Sequence, residues 1–228
     1  MKNISSAILL CFAFLPVFSQ QPSTIRESFQ AFKTYPFSDP DPIANPGSSY
    51  YPYFRFDGFA KEGVNTQWKV IEMENDYLKV YIFPEIGGKI WGAIDKSNGN
   101  DLIYFNDVVK FRDIAMRGAW TSGGIELNFG IIGHAPTCST PVDYLTRTNS
   151  DGSASCFLSA TDRITGTLWS VEVNLPKDKA YFTTGTTWYN PSPIQTPYYH
   201  WMNAAYDTGN DLEFIFPAQY AIGHGGEV

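Results

Sequence analysis

From Trp68 onward, apolar residues recur at every second position in short runs separated by turn-forming residues, and no stretch carries a long, capped helical period. Side chains alternate between the two faces of a strand, so each such run is a strand with one face to bury. Trp68-Lys69-Val70-Ile71-Glu72-Met73 reads as one strand and Asn75-Asp76 as a turn. Residues 77–83 then put Leu78, Val80 and Ile82 on one face and Tyr77, Lys79 and Tyr81 on the other. Gly87-Gly88 open a third strand that runs through Ile94 and ends in the turn-rich residues 95–100. Further strands are expected near 102–105, 142–148, 154–160, 168–174, 180–189, 197–206 and 211–217. Many short strands joined by polar turns specify an all-β sandwich or barrel. No internal repeat is present.

The N-terminal third is organised differently. Lys2, the apolar run 7–18 and the small Ser19 form the charged, apolar and cleavage regions of a secretory signal peptide over residues 1–19. The run is too short for a bilayer span, which takes about 20 apolar residues. Leu10, where a small residue is wanted before Cys11, argues against a lipid-anchored form. Export to the periplasm or cell exterior is therefore expected, with no membrane attachment after cleavage. Residues 20–35 are a polar lead with a weakly helical pattern, and 36–52 hold five prolines. Proline lacks the donor that a central strand needs, so this stretch is expected to be extended and irregular. The aromatics Tyr50, Tyr51, Tyr53, Phe54 and Phe56 make 20–66 read as a lead and an arm laid against the sandwich of 67–228.

Composition narrows the partners. Without Lys2 the formal charge moves from −7 to −8, and no basic run is present, so nucleic acid is not an expected partner. Aromatic residues make up 16% of the chain, as they do in sugar-handling sites and also in large β cores. Cys138 and Cys156 remain after cleavage and could pair in an oxidising compartment. A hairpin about Asn149-Ser150-Asp151-Gly152 would set Cys156 opposite Leu145, so the geometry demands no bridge. The histidines His134, His200 and His224 lack HxH or HxxxH spacing, and no metal or other cofactor is expected.

Val70-Ile71-Glu72-Met73-Glu74-Asn75-Asp76-Tyr77-Leu78-Lys79-Val80, followed by Pro84-Glu85-Ile86-Gly87-Gly88-Lys89-Ile90, resembles the opening of galactose-mutarotase-like (aldose-1-epimerase) domains. Residues 117–130, with Gly133-His134-Ala135-Pro136-Thr137, fall where those domains carry site loops. Tyr198-Tyr199-His200-Trp201-Met202-Asn203 is similar to their histidine-bearing strand. Together with the proline-aromatic arm, these motifs are most similar to an exported bacterial branch of unknown function often fused to tetratricopeptide repeats. The resemblance implies a mutarotase-like antiparallel β-sandwich over 35–228 and a carbohydrate partner. Such sandwiches are longer, with their catalytic carboxylate late in the domain. The favoured expectation is thus the N-terminal portion of a longer protein, the alternative a cut-down domain that lacks this base; in the branch it resembles, a repeat region often follows.

Mutarotation needs one group to take the anomeric hydroxyl proton and another to protonate the ring oxygen, work suited to a histidine and a carboxylate. The resemblance makes His200 the first choice for the acid, against a core or rim histidine bonded to a carbonyl. His134, in a Gly/Pro-flanked loop, either assists at a sugar hydroxyl or stabilises a turn. Glu126 and Asn128 share a face if they lie on a strand, giving a carboxylate and an amide for hydroxyl recognition or else an exposed strand face. Arg117 reads as a grip for an anionic sugar or as a structural ion pair. Trp120 and Trp201 read as stacking platforms or as core, and Asn203 as a further substrate contact. Rival functions are a glycoside hydrolase, pairing Glu126 with Asp143 or Asp207 across a cleft, and a non-catalytic sugar-binding module.

Overall fold

The computed structural model describes residues 20–36, 60–113, 119–130, 136–209, 211–220 and 223. The expected signal segment, the aromatic arm, Arg117, His134 and His224 lie outside these residues.

The described chain is a two-layer β structure. Its strands are β1 (Thr24–Tyr35), β2 (Val64–Glu74), β3 (Leu78–Phe83), β4 (Lys89–Asp95), β5 (Asp101–Ile103), β6 (Val108–Lys110), β7 (Arg112–Asp113) and β8 (Ala119–Trp120). They continue as β9 (Ile125–Phe129), β10 (Asp143–Thr148), β11 (Ala154–Thr161), β12 (Leu168–Leu175), β13 (Thr183–Tyr189) and β14 (His200–Ala204). A short 3-10 turn, Pro136–Ser139, is the one helical element among the described residues.

The larger sheet runs β14-β9-β4-β3-β2-β1-β6, with β5 on β4, and the smaller runs β10-β11-β12-β13; β7 and β8 pair separately. All pairings are antiparallel except β1 with β6, so the larger sheet is mixed. The expected all-β sandwich is thus the fold. Its layers meet through Ile71, Met73, Val80, Ile82, Ile90, Leu127 and Phe129 on one side and Leu158, Trp169, Val171 and Val173 on the other. The alternation that buries Ile71 and Met73 between the sheets turns Val70 to the opposite, outer face. There Phe32, Phe83, Trp91, Val109 and Phe111 gather over it in a second apolar cluster. Several strands therefore have both faces buried, and all five residues of β9 are buried.

Three expectations need correcting. The weakly helical stretch 20–35 is β1, which pairs with β2 over Thr24–Thr34 and with β6 at its end. Local propensity there is overridden by tertiary pairing. Phe32 feeds the outer cluster, while Ile25 packs against the inter-sheet core. Residues 211–217 form no strand: Leu212, Phe214, Ile215 and Phe216 are exposed, and alternation without a pairing partner does not make a ladder. In the β10–β11 hairpin Cys156 pairs with Thr146 and Leu145 with Phe157, one position from the expected register. Cys138 and Cys156 are both free and buried.

Candidate functional site

The larger sheet sets a row of polar side chains across three neighbouring strands. Ile90 of β4 lies opposite Ile125 of β9, which brings the adjoining Lys89 and Glu126 together on the other face. Glu126 in turn lies opposite Asn203 of β14, and the Asn203 amide donates a long hydrogen bond of 3.5 Å to Glu126 Oε1. Asn128 and Trp201 form the next cross-strand pair on that face. Lys89 and Glu126 are each only 3% exposed and Asn128 is fully buried.

Loops bring further groups to the row. Thr121 follows β8, and Lys89 Nζ donates to its backbone carbonyl and, at 2.9 Å, to its hydroxyl. The same ammonium stands 5.7 Å from the centre of the Trp91 ring. Cys138, on the 3-10 turn, donates at 3.5 Å to Asn128 Oδ1. Gly124, at φ +65°, turns the chain into β9; a Cβ there would lie 2.3 Å from the Ile90 carbonyl oxygen, so only glycine fits. Its N–H donates to the Tyr104 carbonyl and its carbonyl accepts from Ala205 N–H, both at 2.9 Å, tying the loop to the end of β14.

Between these elements lies a cleft of about 190 Å³, lined by Lys89, Trp120, Thr121, Gly124, Glu126 and Asn203, with Gly123, Ala204 and Ala205 at its walls. That is below the roughly 300–1,000 Å³ of a drug-sized pocket, so the described part admits one small ring or a fragment of it. Burial pulls the Lys89 ammonium down to about 8, although the carboxylate of Glu126 opposes the fall. Burial also pushes the Cys138 thiol well above its ordinary range, and Glu126 adds to the rise, so Cys138 is a neutral neighbour.

Of the expected site residues, Glu126, Trp120 and Asn203 line this cleft, and Asn128 and Trp201 form the next pair on the same face. His200 does not join them. It lies opposite Phe129, on the inter-sheet face, and its ring stacks on Phe129 at 4.6 Å and 17°. Phe129 stacks in turn on Trp169 at 4.4 Å, while the histidine nitrogens lie 3.2 Å from the Asn128 carbonyl and 3.4 Å from the Thr186 hydroxyl. One β14 position separates the two faces, so His200 and Glu126 point away from each other. The carboxylates considered as partners for Glu126 are also elsewhere: Asp143 is exposed on β10 in the smaller sheet, and Asp207 is exposed beyond β14.

Lys89, Thr121 and Cys138 were not among the expected residues. Lys89 carried a legible signal: it is the only charge in Gly88-Lys89-Ile90-Trp91-Gly92-Ala93-Ile94, a run fit to be buried on both faces. A lysine in such a run must find partners inside the protein.

Among solved structures, this chain is similar to a TPR-domain containing protein from Parabacteroides distasonis, with 27% sequence identity and a TM-score of 0.74. The match covers 82% of this chain and 32% of that one, so the chain spans about a third of that protein's length. Residues 45–228 match the family described as "Domain of unknown function (DUF5107)", and the chain belongs to that family.

Proposed function

We propose that this is an exported carbohydrate-active domain, carried out of the cell by residues 1–19, whose outer-face cleft binds a single sugar ring. The observation that carries the reading is the row Lys89–Glu126–Asn203 opening into a small cleft beside Trp120. A sugar hydroxyl both donates and accepts, and this row offers a cationic donor, an anionic acceptor and an amide that does both. Held in a buried wall, these groups meet the ligand already oriented, which lowers the cost of ordering them on binding. An aromatic at the cleft suits the apolar face of a pyranose.

The resemblance to galactose-mutarotase-like domains supports acid–base chemistry of the epimerase kind at this cleft. A carboxylate and a proton donor on adjacent strands are the groups it requires. Titration calorimetry with a panel of free aldoses and uronic acids tests the reading. At least one sugar is expected to bind, and Glu126→Gln should weaken it by about tenfold or more, since a charge-assisted hydrogen bond contributes about 1.5–3 kcal/mol. Failure of the whole panel to bind would sink the carbohydrate reading.

A further inference from the structure

Resting on that reading, we propose that Lys89, not a histidine, is the proton donor of the cleft, and that it works with Glu126 to open and reclose the ring of a bound aldose. Three observations carry this. Lys89 and Glu126 are cross-strand neighbours in one wall. Two of the three ammonium hydrogens are engaged by Thr121, which fixes the side chain and, among the described residues, leaves one for a ligand. His200, the acid expected from sequence, faces the inter-sheet core.

The chemistry balances without an outside reagent. Glu126 takes the proton of the anomeric hydroxyl as the Lys89 ammonium gives one to the ring oxygen. The bond between the anomeric carbon and the ring oxygen breaks, its electron pair staying on that oxygen, and the anomeric oxygen becomes the carbonyl of an open-chain aldehyde. After rotation about the adjoining carbon–carbon bond, the ring hydroxyl attacks the other face of the carbonyl. Its proton returns to Lys89 and that of Glu126 to the anomeric oxygen. An amine titrating near 8 is mostly charged at neutral pH yet releases its proton readily, as an acid–base catalyst must. Among the described residues, the titratable groups facing it are Glu126 on β9 and Cys138 on the 3-10 turn, and the thiol is neutral.

The test is the rate of anomer exchange for aldoses that bind the full chain, followed by exchange NMR or polarimetry, with binding measured in parallel. The chain should accelerate exchange, with the rate falling about tenfold per pH unit once pH rises above about 8. Lys89→Met should lose about 100-fold or more of that acceleration. Lys89→Arg keeps the charge but holds its proton, and it should bind sugar and fail to exchange it. Exchange retained in Lys89→Met, exchange restored in Lys89→Arg, or an alkaline limb absent from the unaltered chain each overturns the proposal. Sugar binding without accelerated exchange overturns it too, and leaves the binding reading standing. Absence of any sugar binding removes both.

Discussion

At the scale of single residues, the cleft rests on a glycine whose replacement is costly. Gly124 holds a positive φ with the Ile90 carbonyl where a Cβ would go, while Gly99, also at positive φ, has nothing within 4 Å of its would-be Cβ. Gly99→Ala therefore meets only the backbone penalty of about 1–2 kcal/mol. Gly124→Ala must also displace β4 from β9, and should lower the melting temperature by several degrees more than Gly99→Ala in matched thermal scans. Equal shifts would mean that the close approach at Gly124 is not a constraint. Glu72 gives a second prediction. Burial alone would raise its carboxyl, but hydrogen bonds from Arg26, Lys79 and Ser28 outweigh that and hold it down to about 2, from 4.5. A carboxyl depressed in the folded state stabilises fully above its unfolded value and loses the effect as pH falls through the folded one. The gap in urea midpoint between the unaltered chain and Glu72→Gln should thus be widest above about pH 4.5 and close towards pH 2. A gap independent of pH contradicts the network.

Among the elements, β2 to β4 and β10 to β12 were legible because alternation and turn chemistry agree in them. The hairpin turn at Asn75-Asp76 and the glycines 87 and 88, both at positive φ, stand where residue type demands them. β1 was not legible, because what makes it a strand is remote: eleven paired positions along β2 and a parallel contact with β6. Its polar residues read as a solvated lead, yet Arg26, Ser28 and Gln30 are the partners of Glu72 on the outer face. Alternate amides of β1, those bonded to β2, should therefore exchange with deuterium as slowly as their β2 partners in native-state measurements. Uniformly fast exchange over residues 24–34 would return this segment to the loose lead that its composition suggests. The site was half legible for a related reason. Period two correctly put Glu126 and Asn128 on one face, and the same rule put His200 and Asn203 on opposite faces of β14.

For the whole molecule, the consequence is a sandwich in which several strands of the larger sheet are buried on both faces. The inter-sheet side holds the stacked Trp169, Phe129 and His200; the outer side holds a second apolar cluster and, beside it, the buried polar row. The proposed function belongs to the outer side, where the lysine of β4 is proposed for the part expected from sequence of a histidine. The most direct test is a crystal structure of the chain with a sugar that binds it in solution. The ring is expected beside Trp120, with its hydroxyls on Lys89, Glu126 and Asn203. A sugar lodged instead against His200 and Thr186, between the two sheets, would contradict it.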